Sequence, residues 1–208
     1  MDRRHFITSG LAWPLASAVP ALANDPVFIG DMHFHAFFAA GQSTPKTGPL
    51  TPILAGGNAT LVAWALAGDV LWMAPSPRGY AQTAVPKPGE TYGWFQRELG
   101  RIKAHLAEQK LKVVTKRSDV DLALKGDRHV VLAIEGANFI EDDLGRVKVA
   151  YDLGVRQIGL VHYTRNTIGD FQTEKPEYNG LTELGKKVVQ ECNRLGVLVD
   201  LAHCTPAA

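Results

Sequence analysis

The sequence has almost no net charge, few cysteines and no long apolar run, and each shortage excludes a class of protein. Its 208 residues carry a formal net charge of only +1. Without a basic excess that could neutralise phosphates, we expect no nucleic-acid partner and no attraction to anionic lipid. Hydrophobic residues make up 46% and charged residues 21%, which is typical of a globular domain. This composition favours a small neutral or zwitterionic molecule as the partner.

Two cysteines, Cys192 and Cys204, are too few for a disulfide framework. We expect each of them to be a free thiol inside the protein. The sequence also lacks a Gly-x-Ser-x-Gly motif, so nothing predicts the nucleophilic serine of an α/β-hydrolase.

The first residues have the pattern of an export signal. Arg3 and Arg4 precede a modest apolar run over 11–19, and small residues typical of a cleavage site end at Ala23. The apolar run is shorter than the ~20 residues that a membrane-spanning helix needs. We therefore predict that residues 1–23 are a twin-arginine-type signal peptide, that the protein is periplasmic, and that it meets the membrane only during export.

The remaining chain alternates short apolar runs with amphipathic helical stretches, which indicates βα units and a parallel sheet. The predicted strands are the six runs 27–29, 61–66, 112–114, 130–134, 155–161 and 197–201. The main predicted helices are 91–111, 118–124, 143–153 and 181–195, and the proline-rich stretch 74–90 is predicted to be a surface loop. We predict an α/β fold of the (β/α)8 barrel type that is incomplete, because about five or six strands are present where a barrel has eight.

Five side chains that can bind a metal fall where the predicted strands end: His33, His35, Glu135, His162 and His203. Barrel enzymes place their sites at the carboxyl ends of strands. In an extended segment residues two apart point to the same side, so His33 and His35 can reach one metal pair. Each histidine alone is more often a hydrogen-bonded loop residue than a ligand, and the shared position is what favours ligation. We predict that His33, His35, Glu135 and His203 are the metal ligands.

Four further polar residues have simpler interpretations. Asp31 and Asp200 are close enough in sequence to accept an imidazole N–H from a ligand, although an ordinary strand-end hydrogen bond explains them equally well. His129 precedes its predicted strand, and His105 lies on a polar helix face. We therefore assign both histidines to structure rather than chemistry.

Three segments carry a family resemblance. They are Ala133-Ile134-Glu135-Gly136, the stretch 152–162 that ends Leu160-Val161-His162, and above all the stretch 180–203 that ends Val199-Asp200-Leu201-Ala202-His203. Together they resemble the membrane (renal) dipeptidase family, zinc peptidases within the amidohydrolase superfamily of βα barrels. The resemblance is dense over 130–203 and looser at the first strand, and it implies that residues 24–208 are the N-terminal part of a metal-dependent hydrolase barrel.

The resemblance implies a site with two zinc ions. In that site a carboxylate bridges the metals, and a hydroxide shared between them attacks the peptide carbonyl. Glu135 matches the bridging glutamate, His33 the first-strand ligand, and His203 a ligand of the second ion. His162 matches a catalytic histidine that contacts the substrate and helps hold its carbonyl oxygen. The polar positions after that histidine, which also contact substrate, are Asn166 and Asp170.

The sequence departs from the family at one predicted ligand. The family's first motif is usually His-x-Asp, whereas this chain has His35 in place of the aspartate, which leaves the site one negative charge fewer. The family's remaining ligands and substrate-binding groups belong to its second half, and Thr205-Pro206 is a pattern for the start of a further helix.

We therefore predict zinc-dependent hydrolysis of dipeptides or similar amides, with this chain carrying only part of the site. Two alternatives remain: another amidohydrolase that acts on amides or esters, and an inactive truncated fragment. Whether the chain forms a homodimer stays open.

Overall fold

The computed structural model describes residues 27–36, 48–77 and 79–208, so the predicted signal peptide over 1–23 lies outside the described residues. The strands, in chain order, are β1 Ile29–Phe34, β2 Ala59–Ala67, β3 Met73–Ser76, β4 Gly79–Gln82, β5 Lys112–Val113, β6 His129–Glu135, β7 Val155–Gly159 and β8 Leu198–Asp200. The helices are α1 Leu50–Gly56, α2 Glu90–Glu108, α3 Arg117–Ala123, α4 Gly145–Asp152 and α5 Glu183–Leu195.

Six of these strands form one parallel sheet in the order β1-β2-β6-β7-β8, with β5 paired to β6 outside this path. Two strands share the edge of β6 that faces away from β2. Strand β5 pairs with its start, at His129 and Val130, and β7 pairs with its later residues, from Leu132 to Ile134. Helices and loops join the strands, as parallel pairing requires. The predicted α/β fold with an incomplete barrel-type sheet is confirmed.

The centre of the sheet is buried on both faces. All seven residues of β6 and eight of the nine residues of β2 are buried. On one face of β2 and β6, Val62, Leu132 and Ile134 belong to the main core, and on the other face small residues such as Ala63 pack in a second cluster. Continuous apolar runs of this kind are typical of central parallel strands. The sheet therefore has a rigid middle on which side chains at the strand ends can be positioned.

The two outer strands are more exposed than the middle. Ile29 of β1 is 50% exposed and Leu198 of β8 is 51% exposed. The first strand also begins and ends later than predicted, because Gly30, Asp31 and Phe34 pair with β2 through their backbone without a buried apolar pattern. His33 consequently lies inside β1 rather than after it.

The proline-rich stretch 74–90 is not a loop throughout, so this prediction was wrong. Strands β3 and β4 form an antiparallel hairpin in which Pro75 is paired with Tyr80. Proline is tolerated there because a two-stranded ribbon leaves each strand with a free edge. The hairpin is held to the segment after β7, since the backbone N–H of Arg165 donates to the Gln82 side chain at 3.1 Å.

Helix α5 follows the predicted pattern closely. The Thr182 side chain caps its first turn by accepting the Gly185 N–H at 2.9 Å, and Gly196 ends it with a left-handed backbone, φ 75°. No helix in the described part of the chain is both long and apolar enough to cross a membrane.

Both cysteines are free thiols, as predicted. Cys192 is buried within α5 and Cys204 is half-buried. Burial raises the pKa of each thiol to about 11, so neither is a reactive thiolate at neutral pH.

Candidate metal centre

Glu135, the last residue of β6, is the centre of a cluster of four imidazoles. Its side chain is only 2% exposed. Carboxylate oxygen Oε1 lies 3.1 Å from Nε2 of His33 and 3.0 Å from Nε2 of His203. The other oxygen, Oε2, lies 3.0 Å from Nε2 of His35 and 3.3 Å from Nε2 of His162. Each carboxylate oxygen therefore faces two imidazole nitrogens.

The strand order explains why these five residues meet. Their strands are parallel, so the carboxyl ends lie along the same edge of the sheet, where barrel enzymes place their sites. The edge strand β1 carries His33 and is followed by His35, while His162 follows β7 and His203 follows β8. Because β6 is in the middle of this order, Glu135 receives imidazoles from both sides.

A glycine contact brings the end of β2 against the end of β6. The Gly68 N–H donates to the Glu135 carbonyl at 2.7 Å. A Cβ atom at Gly68 would lie 2.4 Å from the carbonyl oxygen of Gly136, so only glycine fits there without a backbone shift. This contact fixes the backbone of Glu135 and positions the residue after Gly68, Asp69, beside the cluster.

His203 has an unusual backbone conformation, with φ 66° in the left-handed region. Such a conformation costs a non-glycine residue of order 1 kcal/mol and is found most often at functional sites. The surrounding chain holds it, because the Gln172 N–H donates to the His203 carbonyl at 2.8 Å and the Cys204 N–H donates to the Leu201 carbonyl at 3.1 Å. The orientation of the His203 side chain is thus imposed by its loop.

The outer nitrogens of the first two imidazoles have oxygen partners. Nδ1 of His33 lies 2.9 Å from Oδ2 of Asp200, and Nδ1 of His35 lies 3.0 Å from the Ala65 carbonyl oxygen. A carbonyl or carboxylate oxygen only accepts, so each Nδ1 carries a proton. In the neutral form of either ring the lone pair is then on Nε2, the nitrogen that faces Glu135. Asp200 thus makes the contact that we considered for it, whereas Asp31 accepts the backbone N–H of His33 instead.

His162 has a carboxylate partner that the sequence analysis missed. Its Nδ1 lies 2.6 Å from Oδ1 of Asp69, a residue with no exposed surface. Asp69 directly follows the end of β2 and Gly68, so applying the strand-end rule to every strand would have identified it. Tyr163 was also missed: its ring centroid lies 4.6 Å from that of His162 and 4.9 Å from that of His203.

The donor set fits two metal ions that share Glu135. One group consists of His33, His35 and Glu135, the other of Glu135, His162 and His203, and within each group the candidate ligand atoms lie within 4.8 Å of one another. An imidazole lone pair that faces a carboxylate oxygen is repelled by it unless a cation or proton lies between them. The same holds for two lone pairs that face each other, as at the 3.2 Å contact between Nε2 of His33 and Nε2 of His35. Two ligand atoms ~2.1 Å from one tetrahedral zinc ion lie ~3.4 Å apart, close to the separations observed.

The electrostatics of the cluster keep Glu135 ionised. Burial raises the pKa of its carboxyl group, but hydrogen bonds from His203 and His35 and the charge of His162 outweigh burial and lower this pKa well below the usual range. Burial lowers the pKa of His35, and the hydrogen bond and charge of Glu135 reverse this, so its pKa is raised. The buried carboxylate therefore attracts positive charge to the centre of the cluster.

The two residues predicted to contact substrate have backbone partners in the structure. The Asn166 side chain donates to the Leu160 carbonyl at 2.9 Å and accepts the Ile168 N–H at 3.0 Å. The Asp170 carboxylate accepts the Glu177 N–H at 2.7 Å and the Gly180 N–H at 2.9 Å. Both side chains thus hold the loop that follows β7, and their contact with a substrate stays a prediction.

A cavity of about 500 Å³ lies between the loops that follow β4, β6 and β7. Its lining includes Lys87, Asn138, Arg146, Arg165 and Asn166, and none of the five cluster residues lines it. Arg146 is occupied by Glu141 at 2.9 Å, and Arg165 by Glu177 at 3.0 Å. The cavity therefore does not include the metal centre, although Asn138 and Arg165 of its lining each follow a cluster residue by three positions.

An open parallel βα sheet, with imidazoles converging on a buried glutamate at its carboxyl edge, defines a class: barrel-type proteins with a candidate two-metal centre. The family model described as membrane dipeptidase, peptidase family M19, matches residues 84–208. The chain belongs to this family, and the predicted resemblance is confirmed.

Curated relatives match over a shorter stretch. An uncharacterized dipeptidase of Schizosaccharomyces pombe is 39% identical over 77 residues, which are 36% of this chain and 19% of that protein. A dipeptidase of Aspergillus oryzae is 36% identical over 78 residues, 37% of this chain and 18% of the relative. The matched stretch thus spans about a fifth of the length of each curated relative.

Solved structures share the fold. A dipeptidase of family M19 superposes with a TM-score of 0.65 at 22% identity, over 88% of this chain and 58% of that one. A metallopeptidase from Rhodobacter sphaeroides, liganded with a phosphinate mimic of the dipeptide L-Ala-D-Ala, superposes with a TM-score of 0.60 at 23% identity, over 76% of this chain and 50% of that one. These likenesses show the fold, and this chain spans about half of each structure.

Proposed function

We propose that this chain supplies part of a two-zinc site that hydrolyses dipeptides or similar small amides. The observation that carries the proposal is the convergence of four imidazole Nε2 atoms on the two oxygens of Glu135, at 3.0–3.3 Å. Membership of the membrane dipeptidase family supports the reaction, and a dipeptide mimic bound to one structural relative supports the substrate class.

The residues would divide the work as follows. His33, His35 and Glu135 would hold one zinc ion, and Glu135 with His203 would hold the other. When bound, zinc would supply a hydroxide nucleophile by lowering the pKa of a water, and it would polarise the scissile carbonyl. We assign His162, whose ring centroid is 4.7 Å from that of His203, as the catalytic group that contacts the carbonyl oxygen of the substrate.

Substrate positioning would involve the loop after β7. Asn166 lines the cavity beside this loop, and Asp170 fixes the loop through its backbone hydrogen bonds. A small molecule with a free amino or carboxyl group would suit the mixed charges of Lys87, Asp142 and Asp143 around that cavity.

The second candidate function is hydrolysis of another amide or an ester. It is favoured by His35, which replaces the aspartate of the family's usual first motif and removes one negative charge from the site. The periplasmic location rests on the arginine pair and cleavage pattern within residues 1–23, and it is a proposal of the same kind.

The test is to prepare the chain free of metal, titrate it with zinc, and assay a panel of dipeptides, amides and esters with and without a chelator. We expect two zinc ions per chain and dipeptide turnover that the chelator removes and zinc restores. His129→Gln is the control variant, because this histidine lies at the opposite end of the same strand and bonds the Asp127 carbonyl at 2.8 Å.

The outcomes separate the hypotheses. Turnover that is unaffected by chelator would contradict the metal-dependent reaction. Ester turnover without dipeptide turnover would favour the second candidate, and less than one tightly bound zinc ion without any turnover would favour an inactive fragment.

A further inference from the structure

Asp69 is the most completely enclosed carboxylate near the metal centre. It has no exposed surface, and both of its oxygens are engaged. Oδ1 lies 2.6 Å from Nδ1 of His162, while Oδ2 accepts the N–H groups of Tyr163 at 3.0 Å and Thr164 at 2.8 Å. With one oxygen held by two backbone donors, the carboxylate has a fixed orientation toward the imidazole.

This arrangement requires a specific chain geometry. Asp69 follows β2, whereas His162 follows β7, and β6 lies between these strands in the sheet. An ionised carboxylate at such a buried position costs several kcal/mol unless hydrogen bonds compensate for the lost water. Here the compensation comes from two backbone amides and one imidazole, so the position and orientation of His162 depend on Asp69.

We propose that Asp69 is a positioning residue that fixes His162 in the tautomer with its proton on Nδ1. The part of His162 in the reaction rests on the proposed function. The position of its proton does not depend on that function. The fixed tautomer leaves the lone pair on Nε2, the nitrogen that faces Glu135. His162 can therefore donate to the carbonyl oxygen of a substrate only when Nε2 also carries a proton.

The distances favour this tautomer over the other one. Nδ1 of His162 is 2.6 Å from Asp69, whereas Nε2 is 3.3 Å from Oε2 of Glu135. The shorter contact has the length of a charge-assisted hydrogen bond, and a carboxylate can only accept. An imidazole that binds a metal or accepts a proton through Nε2 needs this tautomer, and an outer carboxylate is the usual means of holding it.

Asp69→Asn gives a directional test. The two backbone N–H groups of Tyr163 and Thr164 would retain the amide oxygen, which leaves the amide NH₂ facing Nδ1 of His162. Two donors cannot pair, so the neutral imidazole would move its proton to Nε2. The substitution hardly changes the volume of the side chain, and the only charge that it alters is that of the carboxylate, which it removes.

The measurement is a long-range proton–nitrogen NMR spectrum of the metal-free full chain, recorded at a pH where the imidazoles are neutral. The His162 resonances are assigned by their absence in His162→Gln. We expect the wild-type proton on Nδ1 and the Asp69→Asn proton on Nε2. Asp119→Asn is the matched control, because this carboxylate also accepts two backbone N–H groups, of Thr115 and Lys116, but touches no imidazole; we expect its His162 signals to match wild type.

Two results would overturn the proposal. One is a wild-type proton on Nε2 of His162, which needs no variant and so remains decisive if Asp69→Asn fails to fold. The other is a folded Asp69→Asn protein with its His162 proton still on Nδ1. Since turnover does not enter the measurement, absence of dipeptide hydrolysis would count against the proposed function alone.

Discussion

The two sides of the Glu135 carboxylate are built differently. On the β1 side, the His33 and His35 side chains are 31% and 32% exposed, and their strand has a single neighbour within the described sheet. On the other side, the His162 side chain is 4% exposed and its partner Asp69 is fully buried. The imidazoles are therefore more enclosed on this second side, although His203, with its side chain 18% exposed, also follows an edge strand, β8.

This difference predicts unequal metal sites. Ligands that are locked by packing and outer hydrogen bonds lose little freedom when an ion binds, whereas exposed ligands on an edge strand must be ordered first. We expect the ion beside His162 and His203 to bind more tightly than the ion beside His33 and His35. The following three variants test that comparison, from the largest expected effect to the smallest.

Glu135→Gln should abolish the difference by removing both ions. The amide has no charge and keeps one oxygen where the carboxylate has two, so we expect zinc affinity at both positions to fall by more than ~100-fold, beyond the typical cost of losing an outer partner. Isothermal titration with zinc measures this. The control is Glu98→Gln on α2, whose carboxylate is paired with Arg101 at 2.7 Å. Retention of one ion at wild-type affinity would mean that Glu135 is not shared.

Asp170→Asn should weaken the buried side through its supporting loop. The carboxylate accepts N–H groups of the 177–180 segment, and the Asp170 carbonyl accepts the Thr205 N–H at 3.3 Å, next to the segment that carries His203. Losing bonds to a buried charged acceptor costs about 2–4 kcal/mol in the free energy of unfolding. Urea unfolding measures the loss, and zinc affinity should fall on the buried side only.

The pH dependence of that variant has a defined sign. Burial raises the pKa of Asp170, but the backbone N–H groups outweigh burial and lower this pKa. Its stabilisation is therefore complete above the pKa of an unfolded aspartate and is lost as the pH falls through the folded pKa. Wild type and Asp170→Asn should differ in unfolding free energy at neutral pH and converge in strong acid; a constant difference would contradict the assignment.

Asp200→Asn should give the smallest effect, on the exposed side. Asp200 holds His33 through Nδ1 and is itself held by the Gln157 side chain at 2.8 Å. Losing such an outer partner costs about 10-fold or somewhat more in metal affinity. Asp31→Asn is the control, since within the described residues the side chain of Asp31 bonds the backbone N–H of His33 and no imidazole nitrogen. If the two variants bind zinc equally well, Asp200 does not orient the imidazole.

The middle of the sheet could be predicted from the sequence, and its edges could not. Strands β2 and β6 are apolar throughout because both faces are buried, so their runs are visible in the sequence. Strand β1 contains Gly30, Asp31 and His33, and it pairs through its backbone, which leaves no apolar pattern to detect. The hairpin β3–β4 was hidden by prolines that free strand edges tolerate.

Strand ends predicted which residues would meet, but not how they are held. The five cluster residues were found because parallel strands bring their carboxyl ends to one edge. Asp69 follows β2 by two positions and so satisfies the same rule, but its pairing with His162 could not be predicted, since no periodicity encodes a contact between positions so far apart. The family resemblance gave Asn166 and Asp170 roles toward substrate, while only coordinates reveal their backbone partners.

The central place of Glu135 has a mechanical consequence. Its ligand partners come from the outermost strands of the described sheet, so ions shared at this residue would tie β1 to the segment after β8 across the whole width of the sheet. In a chain whose two thiols stay unlinked, such ions would act as the crosslink, restricting the unfolded chain by closing long loops. Heat resistance should accordingly rise with zinc concentration, making thermal denaturation a gauge of occupancy.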